Sequence, residues 1–239
     1  MNSTTGRSGG VAGGLMILLF SASTAAGQWH ASAVGVAEYD TKQTLLLLAG
    51  LSASPGGRGV APVIGVQGYH LGFDNGPGRT NVFVVRPYVG LENNYDGGQY
   101  GANIGYSFSN EDVSGFLTSV AADQGSGTVV SANWDHWGRT GELNGYQVLG
   151  SYNFNSDALW ARGRYTRLLN SSGPSQRRFG GEVAYLEGHG YNAWQPGAVL
   201  ELHDAKGNIL GLGAGLKFFG NGGGNAVYFK VEGVVPLFR

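Results

Sequence analysis

The feature that most constrains this chain is an alternation of apolar residues with small or polar ones, which recurs in segment after segment. In residues 208–219, leucine, alanine or phenylalanine occupies the even positions from 210 to 218, and glycine or lysine the odd positions from 211 to 217. Residues 100–108 and 227–237 repeat the pattern. Because successive side chains of a strand point to opposite faces, this period of two predicts β-strands with one apolar face.

Short clusters of Gly, Asn, Asp, Ser and Pro separate these segments, and such residues favour turns. No helical period of 3.6 is sustained between the clusters, so the sequence predicts an all-β, antiparallel fold. Thirteen segments can be counted, of which Val113–Ala122 has the weakest pattern and the first segment the next weakest. The clusters occupy 40–43, 54–59, 74–80, 95–98, 109–112, 123–127, 138–141, 155–157, 170–176, 188–192, 206–208 and 220–225.

The residues on the polar faces of the strands indicate whether the outer wall of the fold faces water or lipid. Only 13% of the residues are charged, about half the usual share of about 25%, and the 44 glycines fall on strand faces as well as in turns. A soluble β-sandwich needs a charged outer face, whereas a membrane barrel turns its apolar side chains outward to lipid. We therefore expect an up-and-down transmembrane β-barrel. A secreted soluble barrel that binds an apolar ligand inside remains the alternative.

Bacterial single-chain barrels have an even number of strands, so one of the thirteen segments must be wrong. We expect twelve strands, with ten or fourteen as alternatives. A C-terminus on the periplasmic side would make 206–208 a periplasmic turn and place 220–225 and 188–197 in surface loops. Pro87 lies inside the fourth strand, where it would cost a ladder hydrogen bond unless a bulge accommodates it.

Aromatic residues cluster near the predicted strand ends, which is typical of the girdles at membrane interfaces. The final strand alternates apolar residues and carries Phe238 next to the terminal Arg239, a partial match to the signal read by the barrel assembly machinery. The aromatics near strand ends are Trp29, Tyr39, Tyr69, Phe73, Tyr100, Phe108, Trp137, Tyr152, Phe154, Trp160, Tyr191, Trp194, Phe218 and Phe238.

The N-terminal region resembles a secretory signal peptide. A polar stretch with Arg7 precedes ten apolar residues, 11–20, and small residues at 21–27, and ten residues are too few to span a bilayer, which needs about 20. We expect a signal peptide at 1–27 and a single barrel domain at 28–239, located in the outer membrane of a Gram-negative bacterium. With a net charge of −1 there is no basic footprint for nucleic acid.

Strand parity predicts that charged side chains of both signs point into the barrel. Because the signs balance, we expect internal ion pairs more than a charge-selective pore, with Lys217 placed to bridge Glu201 and Glu232 and a narrow water path still open. The predicted lumen charge network comprises Arg86, Glu92, Arg162, Arg164, Glu182, Glu201, His203, Lys217, Lys230 and Glu232; Glu38 and Asp135 share its parity.

No catalytic or metal-ligating constellation stands out in the sequence. The adjacent pairs Asp135–His136 and His203–Asp204 would point to opposite faces of their strands, and Ser151 and His136 differ in parity. The five histidines lack ligand spacing and the chain has no cysteine. We therefore expect no enzyme activity, cofactor or metal, although a barrel hydrolase of envelope lipids remains a second alternative.

Three segments of the C-terminal part resemble a known family: 160–167 (WARGRYTR), 180–202 and 211–234. Within Leu159–Leu237 they are similar to the outer-membrane β-barrel family associated with bacterial cellulose biosynthesis, the BcsS type. Pro236 and Arg239 depart from the aromatic ending of that family. The resemblance implies a role beside exopolysaccharide secretion and transfers no catalytic residue.

Together these observations predict a non-enzymatic outer-membrane barrel. It would act as a narrow channel or as an accessory envelope component, with a link to exopolysaccharide (cellulose) secretion implied by the resemblance. Its expected partners are outer-membrane lipid, the barrel assembly machinery and components of exopolysaccharide secretion.

Overall fold

The computed structural model describes residues 29–74, 79–114, 126–137, 142–172, 175–188, 191–220 and 224–238. The predicted signal peptide lies outside these residues. Within them, no helix has the length and apolarity that crossing a membrane requires. The described strands are β1 (Trp29–Asp40), β2 (Leu45–Pro55), β3 (Gly59–Asp74), β4 (Arg79–Tyr95), β5 (Gly98–Ser114), β6 (Gly127–His136), β7 (Asn144–Asn153), β8 (Ala158–Ser172), β9 (Ser175–Gly188), β10 (Tyr191–His203), β11 (Ile209–Phe219) and β12 (Asn225–Phe238).

The twelve strands close into one antiparallel barrel, as the sequence predicted. Each strand pairs with its neighbours in sequence, and β1 closes the ring by pairing with β12 from Ala31↔Phe238 to Asp40↔Tyr228. Because the count is even, β1 begins and β12 ends at the same end of the barrel. We call this end the terminal end and the other the opposite end.

In β5, β11 and β12 the apolar face points outward, whereas Val82 and Val84 of β4 point inward and are buried. Ile104, Leu212 and Phe229 lie on this outer wall with 52%, 42% and 59% of their surface exposed, whereas Glu182 and Lys230 on the inner face are buried. A soluble barrel that holds an apolar ligand would need the reverse orientation, since water would otherwise meet a continuous apolar belt. An outward apolar face over a polar interior is the arrangement of membrane barrels.

The strands extend further into the predicted turns than expected. Residues 109–112 (SNED) continue β5, which runs to Ser114, and Tyr191–Gly197 belong to β10 instead of a surface loop. In the predicted turn 170–176, residues 170–172 end β8 and residues 175–176 begin β9. Polar residues at 109–112 are compatible with a strand because β5 pairs with β4 there, up to Arg79↔Ser114. This extension of β5 removes the start of the segment Val113–Ala122, whose remaining residues lie outside the described chain.

Pro87 and Pro196 each interrupt the hydrogen-bond ladder to one neighbouring strand and leave the ladder to the other neighbour intact. Pro87 pairs in register with Val66 of β3, while the β4–β5 ladder is missing between Val85↔Phe108 and Tyr88↔Gly105. Pro196 likewise pairs with Val183 of β9, and its ladder to β11 is interrupted. A proline has no N–H to donate, so each strand loses the bonds on one side only.

Aromatic residues on the outer wall lie near both ends of the strands. The ring centroids of Tyr185 and Trp194 lie 4.5 Å apart toward the opposite end, and those of Trp134 and Tyr146 lie 5.1 Å apart toward the terminal end. Three aromatics differ from the expected girdle, because the register turns them inward: Tyr69, Phe73 and Trp160. Arg162 lies 5.9 Å from the Trp160 ring centroid. The outer pairs have the positions of interfacial aromatic girdles.

Asp204 organises the turn between β10 and β11, the region predicted as a turn at 206–208. The side-chain and backbone N–H groups of Asn208 donate to the Asp204 carboxylate, at 2.7 and 2.9 Å, and the N–H of Lys206 donates at 2.8 Å. These hydrogen bonds, those from the Asn208 side chain first, lower the pKa of Asp204.

A charge on the outer wall should be costly in the middle of the barrel and cheap at its rim. Leu212→Arg, in the middle of β11, should destabilise the barrel in lipid vesicles by about 2–4 kcal/mol, because the cation would face hydrocarbon. Val60→Arg, at the terminal end of β3, should cost about 0–1 kcal/mol. Denaturant titration of vesicle-embedded protein measures both free energies. Equal costs would contradict an outer wall that faces lipid.

Candidate functional site: the charge network of the lumen

Arg164 holds three carboxylates together inside the barrel. Its guanidinium donates to Glu182 of β9 at 2.7 Å, to Glu201 of β10 at 2.8 Å and to Glu232 of β12. Only 4% of the Arg164 side chain is exposed. A planar guanidinium with five N–H donors suits this role, because it can bind several carboxylates in fixed directions.

Two further cations complete what we call the central network: Arg162, Arg164, Glu182, Glu201, Lys230 and Glu232. Arg162 pairs with Glu232 at 2.9 Å. Lys230 pairs with Glu182 and lies 3.7 Å from Glu232. Three cations therefore face three carboxylates, and the pairs reach across the interior from β8 to β12, which are four strands apart in the barrel.

Polar side chains extend the central network around the wall. Arg162 also donates to Gln147 of β7, which in turn donates to Asp135 of β6. Tyr228 of β12 donates to Glu182 at 3.3 Å. At the terminal end His203 lies 3.2 Å from Glu201. The Gln147 amide satisfies an oxygen of the buried Asp135 carboxylate, and the Tyr228 hydroxyl shares Glu182 Oε1 with Lys230. Buried charges require such hydrogen bonds.

Glycines of β11 make room for the central network. A methyl group added at Gly211 would lie 2.7 Å from Glu232 Cγ, and one at Gly213 would lie 3.2 Å from Lys230 Cε. A methyl group at Gly215 would lie 2.8 Å from Tyr228 Cε1. The side chains of β12 thus lie over the bare inner face of β11. The period-two glycines predicted from the sequence have this packing role.

Lys217 binds different partners from those expected. Its ammonium donates to Glu38 and to Asp40 of β1, each at 2.9 Å; it does not bridge Glu201 and Glu232, which Arg164 joins instead. The physical reason is position along the strand: Lys217 lies near the opposite end of β11, level with the end of β1, whereas Glu201 lies near the terminal end of β10. Gln195 also donates to Glu38, at 2.8 Å.

Asp40 and Arg178 are members of the polar interior that the sequence prediction missed. Asp40 is fully buried and accepts from the N–H groups of Lys42 and Thr44 as well as from Lys217. Arg178 is fully buried and donates to Gln176 at 2.8 Å and to the carbonyls of Glu142 and Leu143. Strand parity places Arg178 on the same face as Glu182 and so could identify it, whereas Asp40 lies in the turn cluster predicted at 40–43.

Arg86 and Glu92 face the lumen but do not join the central network. Arg86 donates to Ser107 at 3.0 Å. Glu92 accepts from Ser54 at 2.5 Å and from Asn94 at 3.0 Å. Within the described residues neither side chain has a charged partner, so the expectation of general internal pairing fails at β4.

Two histidines of the described residues, His136 and His203, lie beside carboxylates. His136 on the outer wall lies 3.0 Å from Glu142, and His203 lies in the lumen beside Glu201. In the part of the chain that the structure describes, no three His, Asp or Glu side chains converge on a point that could hold a metal ion.

The solved structures described next, to which this chain is similar, are outer-membrane β-barrels. The translocator domain of the autotransporter NalP from Neisseria meningitidis matches with a TM-score of 0.51 and 10% identity, over 94% of this chain and 93% of that chain. The COG4313 outer membrane channel from Pseudomonas putida F1 matches with a TM-score of 0.53 and 10% identity, over 89% and 96% of the two chains. No family model matches the chain, and no curated protein matches it.

These similarities identify the class of fold. The described residues form a closed, twelve-stranded antiparallel barrel of the outer-membrane type. At 10% identity the likeness shows the fold alone, and the resemblance to the cellulose-associated barrel family finds no match among family models.

Removing the central guanidinium should strongly destabilise the barrel. Arg164→Met would leave Glu182, Glu201 and Glu232 with two cations between them, at a cost of about 3–5 kcal/mol. Arg167→Met is the matched control, because Arg167 is the next arginine on β8 and is exposed on the outer wall. Denaturant unfolding in detergent should show a large loss for the first variant and almost none for the second. Equal losses would contradict the central role of Arg164.

A side chain added at Gly211 should press against Glu232 and lower the stability of the barrel. Gly211→Val would push against Glu232, and we expect a loss of about 1–3 kcal/mol from overpacking. Gly163→Val is the control, since an added methyl group there meets nothing within 4 Å. Thermal unfolding of the two variants gives the comparison. A tolerated valine at Gly211 would show that Glu232 does not need the bare face of β11.

Proposed function

We propose that this protein is a non-enzymatic outer-membrane channel of Gram-negative bacteria, narrowed inside by the central network. The observation that carries the proposal is the set of ion pairs from Arg162 and Arg164 to Glu232, which connect β8 with β12 across the lumen. Such pairs reduce the cross-section available to a solute in a twelve-stranded barrel, which is intermediate between a filled eight-stranded barrel and an open porin. The outward apolar belt supports the membrane location.

The central network is electrically balanced, which bears on how the channel would work. Three cations meet three carboxylates at short distances, so the constriction presents little net charge to a passing solute. Each buried charge has been desolvated and is stabilised by its partner, and separating a pair would be costly. The proposed channel is therefore rigid at this level and conducts weakly.

We also propose that the protein is exported through a signal peptide and has partners in the cell envelope. A signal peptide at 1–27 would deliver the chain to the periplasm, and the alternating final strand, with Phe229, Val231 and Leu237 on one face, fits recognition by the barrel assembly machinery. A role beside exopolysaccharide secretion is supported only by the resemblance of Leu159–Leu237 to the cellulose-associated barrels.

Removing the Arg162–Glu232 ion pair should widen the channel at its constriction. In planar bilayers we expect small single-channel steps from the wild type and steps several-fold larger from the double variant Arg162→Ala/Glu232→Ala. Both partners are removed together, so no unpaired charge remains from this pair, and Arg164 keeps Glu182 and Glu201.

The control is the double variant Arg58→Ala/Asp96→Ala. It removes an exposed ion pair of 3.7 Å between two turns at the terminal end, where the change should not affect conductance. Folding of all proteins is checked by heat-modifiable migration on gels. A folded barrel that gives no conductance steps, with or without the Arg162–Glu232 pair, would refute the channel.

A further inference from the structure

At the terminal end of the lumen lies a cavity of about 160 Å³ between strands β1, β2, β4, β5 and β12. It is much smaller than the roughly 300–1,000 Å³ of pockets that hold drug-sized molecules. A water molecule takes about 30 Å³ of liquid volume, so the cavity suits a ligand of a few non-hydrogen atoms.

Neutral hydrogen-bonding groups and one charged side chain line this cavity, which we call the vestibule. The hydroxyls of Ser32 and Ser52 lie 2.9 Å apart, and the Gln99 side chain faces the same space. Glu92 supplies the carboxylate. His30 is the further titratable group of the lining.

The carboxylate of Glu92 is held in place but not neutralised. Ser54 and Asn94 both donate to the same oxygen, Oε1, at 2.5 and 3.0 Å. The other oxygen, Oε2, accepts no hydrogen bond from the described residues, and none of their cations pairs with it. A fixed carboxylate with one open oxygen in a recess attracts a cation, because its charge is only partly offset by neutral donors.

The composition of the lining favours an organic cation over a metal ion. Calcium takes six to eight oxygen ligands, usually with several carboxylates, whereas the vestibule offers one. Pro236 and Phe238 form an apolar side of the same cavity, where an alkyl chain can pack and an ammonium can also approach the aromatic ring. We propose that the vestibule is a binding site for a small alkylammonium ion, with its ammonium on Glu92 Oε2.

The site depends on the proposed channel in one respect only: the vestibule would be one mouth of that channel. Butylammonium chloride serves as the probe, added to the folded barrel in detergent micelles at pH 8. The side-chain amide signals of Asn94 and Gln99 report binding by nuclear magnetic resonance. We expect a saturable shift with butylammonium and none with sodium butyrate, which has the same alkyl length and the opposite charge.

Glu92→Gln tests the charge, since glutamine keeps an oxygen that can accept from Ser54 and Asn94. We expect it to weaken butylammonium binding at least tenfold. Glu187→Gln is the control, because Glu187 lies on the outer wall of β9, where Tyr185 donates to it at 2.9 Å. Absence of a saturable shift, an equal shift with butyrate, or unchanged binding in Glu92→Gln would overturn the assignment.

Ion selectivity separates this site from the channel itself. Reversal potentials in a butylammonium chloride gradient should show a preference for the cation in the wild type that decreases in Glu92→Gln and persists in Glu187→Gln. Binding without any conductance would refute the channel and leave the site in place. Conductance without binding or cation preference would refute the site alone.

Discussion

The closed backbone ladder is the constraint on which the rest of the structure depends. Inside a bilayer an unpaired N–H or C=O group has no water to bind, so a sheet can cross only when its first and last strands meet. The pairing of β1 with β12 over Ala31–Asp40 satisfies this requirement. Closure with an even number of antiparallel strands also fixes which side chains of every strand point into the lumen.

That alternation made much of the fold predictable from the sequence. The glycine, lysine and leucine positions of β11 and the apolar positions of β5 and β12 gave strand, face and class. The ends of the strands were harder to predict, because a turn cluster and a polar strand end have similar amino-acid compositions. Residues 109–112 are part of strand β5. Asp40 ends β1, and its side chain lies in the lumen. Local composition cannot separate these cases, since the neighbouring strand decides whether pairing continues.

The partners of each lumen charge were harder to predict than its direction. Parity states that Lys217 points inward, but its partner depends on the stagger of strands around a tilted barrel, which places it beside Glu38 and Asp40. Arg164 pairs with Glu232, which lies four strands away across the lumen. The spacing of residues in the sequence does not predict such a contact. The glycine face of β11 was visible in the sequence, and its role of accommodating Glu232 and Lys230 follows only from the packing.

The charges of the lumen divide into those with a charged partner and those with neutral partners. Within the central network the buried cations and carboxylates neutralise each other, and losing one partner of such a pair is costly. Arg86 and Glu92 on β4, like Arg178 on β9, have neutral partners. Any selectivity of the barrel should therefore come from the charges with neutral partners, of which Glu92 lines the vestibule, while the central network supplies rigidity. The two features that the sequence presented as one charge set have separate roles.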